Sequence, residues 1–194
     1  MKKWIFILLA SIGLTSLSSC SYNSLVDLDE GVSQSWANVE TAYQRRADLI
    51  PNLVETVKGA ADFERSTLES VINARAKATS IEIDPSNVTP EQFAQFQEAQ
   101  SEVSSALNRL LVTVERYPEL KANENFVKLQ DQLESTENQI LTARTRFNEA
   151  VQGYNGKVRR FPSNITANIF GFDQKPYFEA EKGAEKAPEV EFNF

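Results

Sequence analysis

A seven-residue repeat in the last third of the chain constrains the fold more strongly than any other feature of the sequence. Large apolar residues occupy every seventh position: Phe126, Leu133, Ile140, Phe147 and Tyr154. The intermediate positions of the repeat hold Leu129, Thr136, Ala143 and Ala150. A repeat of this length is typical of a helix that coils around long neighbours. We therefore predict one helix from about Asn123 to Arg159, roughly 55 Å long at about 1.5 Å per residue.

The first half of the chain supplies partners for this helix. Apolar residues recur there at steps of three and four, which indicates helices with one buried face. These residues are Leu25, Leu28, Val32, Trp36, Val39, Tyr43, Ile50, Leu53, Val57, Leu68 and Ile72. Pro51 interrupts the pattern because it lacks an N–H and crowds the carbonyl of Ala47, at a cost of about 3 kcal/mol in a helix interior. Either one helix ends near Arg46 and a second begins near Asp48, or one long helix kinks at Pro51. The unbroken phase of the pattern favours the kink.

A further helix is predicted to begin after the loop from Ser80 to Val88. Thr89 can cap it, Pro90 suits its first position, and Gln92 completes a capping box. Its buried face is formed by Phe93, Phe96, Val103, Leu107, Leu110 and Val114, and Pro118 ends it. The predicted fold class is therefore all-α: an elongated antiparallel bundle of four helical segments over residues 20–162.

Residues 163–194 form the last predicted region. The helical periodicity stops after Phe161-Pro162, but the segment is too rich in aromatic residues to be a solvated tail. We predict an extended tail that packs on the bundle, with a partner-binding arm as the alternative.

The N-terminus is typical of a bacterial lipoprotein signal peptide over residues 1–19. Lys2 and Lys3 precede a short apolar run from Trp4 to Leu14, and small residues follow. Leu17-Ser18-Ser19-Cys20 then places the only cysteine where a lipobox holds the residue that receives lipid. The alternative is a buried free cysteine. We predict lipid attachment at Cys20 and location at the cell membrane. Because Ser21 and not Asp follows, we expect the outer membrane, facing the periplasm, in a host with two membranes.

Composition excludes several chemistries. The chain has no histidine and its one cysteine is assigned to the anchor, which excludes imidazole bases, Cys–His dyads and the usual zinc ligand sets. Its 27 acidic residues exceed its 20 basic residues, and such a surface discourages binding to nucleic acid or anionic lipid. We predict no metal, no cofactor, no nucleic-acid partner and no enzymatic activity.

A charged cluster beside Pro51 is the remaining candidate site. Arg45, Arg46 and Asp48 lie where Pro51 leaves the carbonyl of Ala47 without its helical partner. We interpret them as structural residues that repair the helix or fix helix register. The alternative is a partner or ligand site, formed with the other charged residues of the same motifs: Glu55, Glu115, Glu137 and Arg144.

Several motifs resemble those of the LemA family. The longer ones are Tyr22–Val26, Trp36–Glu40, Tyr43–Val54 and Tyr117–Phe126. Shorter matches are Ala143-Arg144, Phe147-Asn148, Tyr154-Asn155, Phe161-Pro162, Phe170–Phe172 and Tyr177–Ala180. The resemblance covers essentially all of the chain after the signal peptide. It implies a membrane-anchored helical bundle outside the cytoplasm whose molecular activity is poorly defined. A lipobox departs from the hydrophobic anchor that family members commonly carry.

Three functional classes follow from these observations. The leading one is a noncatalytic scaffold or adaptor of the cell envelope, bound to the membrane through its N-terminal lipid and to an unidentified envelope protein. The second is a carrier or sensor that binds a small molecule or lipid between the helices, which requires a cavity. An enzyme is third, and a deep polar pocket around Arg46 and Asp48 would overturn this order.

Overall fold

Six helices account for most of the chain in the computed structural model, which describes residues 2–59, 63–85 and 87–179. They are α1 (Lys2–Lys58), α2 (Arg65–Thr79), α3 (Pro90–Val114), α4 (Pro118–Lys121), α5 (Glu124–Arg159) and α6 (Ser163–Phe170). This confirms the predicted all-α class. The side chains of residues 1–20, and with them the predicted signal peptide and the lipid site at Cys20, lie outside the described residues.

Helices α1 and α5 form the long pair of the bundle. Helix α1 continues through Pro51 as one element, so the alternative of a single long helix is confirmed. Helix α5 buries the predicted seam, including Phe126, Ile140 and Phe147. From Ser21 to Lys58, α1 rises about 57 Å at about 1.5 Å per residue, which gives the bundle two distant ends. We call them the anchor end, beside Ser21 and named for the predicted lipid site, and the distal end, beside Lys58.

Helices α2 and α3 form a second, shorter pair that lies against the first. The predicted capping box begins α3: Gln92 N donates to Thr89 Oγ1 at 3.2 Å, and Thr89 N donates to Gln92 Oε1 at 3.1 Å. The prediction that Ile72 is buried is wrong, since this side chain is 44% exposed. Helix α1 ends at Lys58 and α2 begins at Arg65, so the pattern of α1 does not continue into α2. Leu68 is buried as predicted, and Val71 faces inward in place of Ile72.

The segment after Pro162 is only partly extended. Residues 163–170 form α6, and the prediction of extended backbone from residue 163 is wrong there. Two turns of helix offer too few repeats for a periodicity to be recognised. Gly171 ends α6 at φ 74°, a left-handed conformation that glycine adopts without steric cost. From Gly171 to Glu179 the chain is extended, and Phe178 is buried in the bundle, as the predicted packing of the tail requires. The rest of the predicted tail, residues 180–194, lies outside the described residues.

The core has two parts along the length of the bundle. Toward the anchor end, the aromatic core contains Trp36, Tyr43, Phe93, Phe96, Phe147, Tyr154 and Phe178. Toward the distal end, the aliphatic core contains Ile50, Leu53, Val57, Leu68, Val71, Val103, Leu107, Leu110, Val114, Phe126 and Leu133. Polar side chains lie between the two cores.

Candidate functional site

A buried arginine on α1 organises the boundary between the two cores. Arg46 lies between Tyr43 of the aromatic core and Ile50 of the aliphatic core, and it is only 2% exposed. Its guanidinium group contacts Gln100 and Ser104 of α3 and Glu137 of α5. We call these four residues, Arg46, Gln100, Ser104 and Glu137, the polar layer.

The hydrogen bonds of Arg46 use all four of its terminal N–H groups. Nη1 donates to Ser104 Oγ at 2.9 Å and to Glu137 Oε1 at 2.8 Å. Nη2 donates to Gln100 Oε1 at 2.6 Å and to the Gln100 carbonyl at 3.2 Å. The guanidinium carbon also lies 5.1 Å from the centre of the Tyr43 ring, within the range of a cation–π contact. Arg46 therefore joins α1 to α3 and α5, and its terminal donors are committed to the protein.

Arg45 and Asp48 do not join the polar layer. Both side chains are exposed, and Asp48 Oδ1 accepts a hydrogen bond from Gln44 Nε2, one turn earlier on α1, at 2.8 Å. The structure thus divides the predicted cluster: only Arg46 points into the bundle. Of the other predicted residues, Glu137 joins Arg46 in the polar layer, and Arg144 lies two turns further along α5. Glu55 and Glu115 lie apart from them at exposed positions, paired to Lys58 and Lys121.

The carbonyl freed by Pro51 has a partner that the sequence did not suggest. Arg75 Nε, from α2, donates to the carbonyl of Ala47 at 2.7 Å. The prediction that Arg45 or Arg46 repairs this position is therefore wrong. The repair comes from a different helix, 28 positions further along the chain, and no local pattern marks Arg75 for the task.

An open groove with a volume of about 1040 Å³ lies beside the polar layer, between α2, α3 and α5. Its charged lining has both signs: Arg46, Lys77, Arg109 and Arg144 together with Glu98, Glu102, Glu137 and Glu179. Lys77 Nζ lies 2.6 Å from Glu102 Oε1, and this hydrogen bond raises the pKa of Lys77. The groove reaches Arg46, but Asp48 does not line it. A deep polar pocket around Arg46 and Asp48 would have favoured an enzyme. This groove differs from such a pocket because it is open and because Arg46 is already hydrogen-bonded to the protein.

Two asparagines seven residues apart hold the tail on α5. Asn155 Nδ2 donates to the Lys175 carbonyl at 2.8 Å, and Lys175 N donates to Asn155 Oδ1 at 2.9 Å. Asn148 repeats the same reciprocal pair with Phe178, at 3.0 and 2.9 Å. Each side-chain amide thus acts on the tail as a strand partner would. Both asparagines belong to short motifs of the sequence, Phe147-Asn148 and Tyr154-Asn155. An asparagine directly after a buried aromatic residue was the only sequence feature that could have pointed to this role.

Lys175 forms a second buried cation, at the anchor end. Its Nζ lies 2.6 Å from Asp29 Oδ1 and donates to the Pro85 carbonyl at 2.8 Å. It also lies 5.3 Å from the centre of the Tyr154 ring. Burial, with added repulsion from the negative charges of Asp29 and Asp173, raises the pKa of Tyr154 to about 12. Lys175 therefore ties the tail to α1 and to the loop before α3.

In the part of the chain that the structure describes, no helix is both long enough and apolar enough to cross a bilayer. Within the same residues, no three acidic or cysteine side chains gather in a way that would hold a metal ion.

Comparison with known proteins identifies the class to which this helical bundle belongs. The model of the LemA family matches residues 35–192, which is most of the chain. The protein therefore belongs to the LemA family, as its motifs predicted.

Relatives from several bacteria are similar over most of the chain. Magnetosome protein MamQ 2 of Paramagnetospirillum magneticum is 27% identical over 184 residues, covering 86% of this chain and 67% of the relative. Magnetosome protein MamQ of Magnetospirillum gryphiswaldense is 26% identical over 186 residues, with the same two shares. Protein LemA of Metamycoplasma hominis is 22% identical over 160 residues, covering 82% of this chain and 69% of the relative.

Proposed function

We propose that this protein is a noncatalytic scaffold or adaptor of the cell envelope, held to a membrane at its anchor end and bound to a protein partner along its side. The observation that carries this proposal is the polar layer. Arg46 lies at the base of the groove, yet all four of its terminal N–H groups are bonded to α3 and α5. Buried charge used in this way sets the relative positions of helices. The groove then serves as a contact surface and not as a reaction centre.

Membrane attachment in this proposal depends on Cys20. A lipoprotein cysteine carries two or more acyl chains, and two chains hold a protein stably where one gives only marginal binding. Cys20→Ala should therefore release the full chain from the membrane fraction of cells, or block its maturation. Density-gradient fractionation would place the wild type at the outer membrane in a host with two membranes. A Cys20→Ala variant that matures and fractionates like the wild type contradicts the lipid anchor.

The partner in this proposal binds at the groove. Its lining of both charges, open to solvent, suits a protein surface with polar groups and charges of both signs. A photoreactive amino acid at Ser105, which is exposed in the groove, should capture a defined envelope protein in intact cells. The same group at Gln152, exposed on α5 outside the groove, is the matched control.

Charge dependence makes this experiment specific. Glu98 is an exposed groove residue, and Glu98→Lys reverses one charge without touching the polar layer. Capture from Ser105 should fall severalfold in the Glu98→Lys chain. Identical products from Ser105 and Gln152, unaffected by Glu98→Lys, would contradict binding at the groove.

A carrier or sensor is the second candidate, favoured by the volume of the groove. About 1040 Å³ matches the upper range of small-molecule sites. The charged lining indicates a small polar ligand. A thermal-shift screen of polar metabolites against the wild type and Arg109→Ala would identify such a ligand, since its stabilising effect should disappear in the variant.

A further inference from the structure

A row of apolar side chains at the anchor end is exposed to solvent. Phe161 is 81% exposed, Ile165 51%, Ile169 71% and Phe170 58%. We call these four residues the end surface. Phe161, Ile165 and Ile169 are spaced by four, and Ile165 and Ile169 therefore share one face of α6. The opposite face is buried against the bundle through Ser163, Thr166 and Ala167. Helix α6 therefore exposes its large apolar side chains to solvent and buries its small ones.

The end surface lies close to the predicted lipid-attachment site. The ring of Phe170 is 4.8 Å from that of Tyr22, centre to centre, and Phe172 is 5.8 Å from the same ring. Tyr22 follows Cys20 by two residues. The apolar row is therefore at the end of the bundle from which the N-terminal segment extends, about 57 Å of helix from the distal end at about 1.5 Å per residue.

The charges around the end surface also suit a membrane. Helix α6 contains no charged residue in its sequence, SNITANIF. Arg159 and Arg160, both exposed, directly precede Phe161. Cations beside an apolar face are typical of segments that lie in the interface of an anionic bilayer. This local arrangement differs from the acidic balance of the whole chain, which has a net charge of −7.

We propose that the end surface inserts into the interface of the membrane that holds the N-terminus. This inference rests on the membrane attachment of the proposed function, and it adds a second contact that orients the bundle. The apolar side chains would enter the boundary between headgroups and acyl chains, while Arg159 and Arg160 meet anionic headgroups. The distal end would then point away from the bilayer, and the groove on the side of the bundle would face a partner.

Two exposed positions give a matched test. Ile169 and Val112 are both 71% exposed, but Val112 lies on α3 toward the distal end, where Tyr117 contacts Phe63 at 5.1 Å between ring centres. The full chain is prepared with Ile169→Trp or Val112→Trp and mixed with phosphatidylglycerol and phosphatidylethanolamine vesicles whose acyl chains carry bromine. Bromine quenches tryptophan fluorescence only at short range. The parent protein, prepared in the same way, supplies the background to subtract; once the predicted signal peptide is removed, its tryptophan is Trp36.

The added fluorescence of Ile169→Trp should lose at least twice the fraction lost by Val112→Trp. Ile165→Trp should repeat the result from the same face of α6. Equal quenching at positions 169 and 112, or quenching at neither, would overturn the proposal. A blue shift of Ile169→Trp that grows with protein concentration in the absence of vesicles, without bromine quenching, would also overturn it and indicate that a second copy of the chain covers this surface.

Fractionation of the Cys20→Ala chain separates this inference from the proposed function. If the protein binds membranes through Cys20 but Ile169→Trp is not quenched, the lipid anchor is supported and insertion of the end surface is contradicted. If membrane fractionation does not depend on Cys20 but Ile169→Trp is quenched on vesicles, the lipid anchor is contradicted and insertion of the end surface is supported.

Discussion

The aromatic core and the aliphatic core are closed in different ways. The buried residues of the aliphatic core all come from helices α1 to α5. The aromatic core is completed by Phe178, whose ring lies 4.8 Å from Phe93 and 5.4 Å from Phe147 between centres. This residue belongs to a tail without regular secondary structure, held by Asn148 and Asn155. The anchor half of the molecule therefore depends on a segment from the end of the chain, whereas the distal half does not.

Removing a ring from the aromatic core should have the largest effect. Phe147 is buried and contacts the rings of Trp36, Phe93 and Phe178. Phe147→Ala should lower the free energy of unfolding by about 3 to 5 kcal/mol, because it removes apolar contacts and leaves a cavity. Thermal or urea unfolding of the full chain measures this loss.

Two control variants connect that loss to the comparison of the cores. Leu141→Ala, 63% exposed on the same helix, should change stability by less than about 0.5 kcal/mol. Phe126→Ala in the aliphatic core should destabilise the protein without freeing the tail. Limited proteolysis at residues 171–179 should therefore accelerate in Phe147→Ala relative to Phe126→Ala. Equal rates at equal stability would mean that the tail is not part of the aromatic core in solution.

The polar layer between the cores should give the next largest effect. Arg46→Met keeps much of the side-chain length but removes every donor, and Gln100 and Glu137 lose their partner. We expect a loss of roughly 1 to 3 kcal/mol, the range for leaving buried polar groups unsatisfied. The exposed Arg45→Met is the matched control and should be nearly neutral. Unchanged melting of Arg46→Met, together with a lost crosslinked partner, would instead make Arg46 a functional residue.

A smaller effect should reveal how the aliphatic half accommodates Pro51. Arg75→Met removes the donor to the Ala47 carbonyl and should cost about 1 kcal/mol, the net value of one hydrogen bond. In the Pro51→Ala background, the new N–H of residue 51 can bond that carbonyl, so Arg75→Met should cost less than half as much. Pro51→Ala should not reduce the cost of Arg46→Met. A double-mutant cycle measured by urea unfolding checks both statements.

The helices themselves were largely predictable, because their buried faces repeat along the chain. The seam of α5, the capping box at Thr89 and the single helix through Pro51 all follow from local patterns. Helix α6 was not predicted because its 8 residues are too few for a helical periodicity to be recognised. Ile72 was wrongly predicted to be buried because the chain turns after Lys58, and a periodicity cannot be carried across a turn.

The contacts of the site were less predictable than the helices. Arg46 was singled out by its position near Pro51, but its partners lie 54 to 91 positions away. Arg75 and Lys175 carry no local signal for their roles, since each meets a backbone carbonyl of a different element. The sequence places Glu137 among the charged residues that could share a site with Arg46, but it does not mark Gln100 or Ser104, because these contacts depend on how the two helix pairs pack.

The smallest expected effect is a titration confined to the aromatic half. The pKa of Tyr154 is raised from 10.0 to about 12, first by burial and then by Asp29 and Asp173. Since the folded pKa lies above the unfolded value, the protonated phenol contributes stability that is fully present below pH 10. This contribution is lost as the pH rises from about 10 to about 12.

Absorbance at the tyrosinate band should show a step near pH 12 in the wild type that is absent from Tyr154→Phe. Asp173→Asn should move that step to lower pH, because it removes one of the negative charges that raise the pKa of Tyr154. Asp173 is exposed, and this change leaves the tail bonds to Asn155 in place. A wild-type minus Tyr154→Phe difference with its step at the ordinary tyrosine value of 10.0 would mean that the tail does not cover Tyr154.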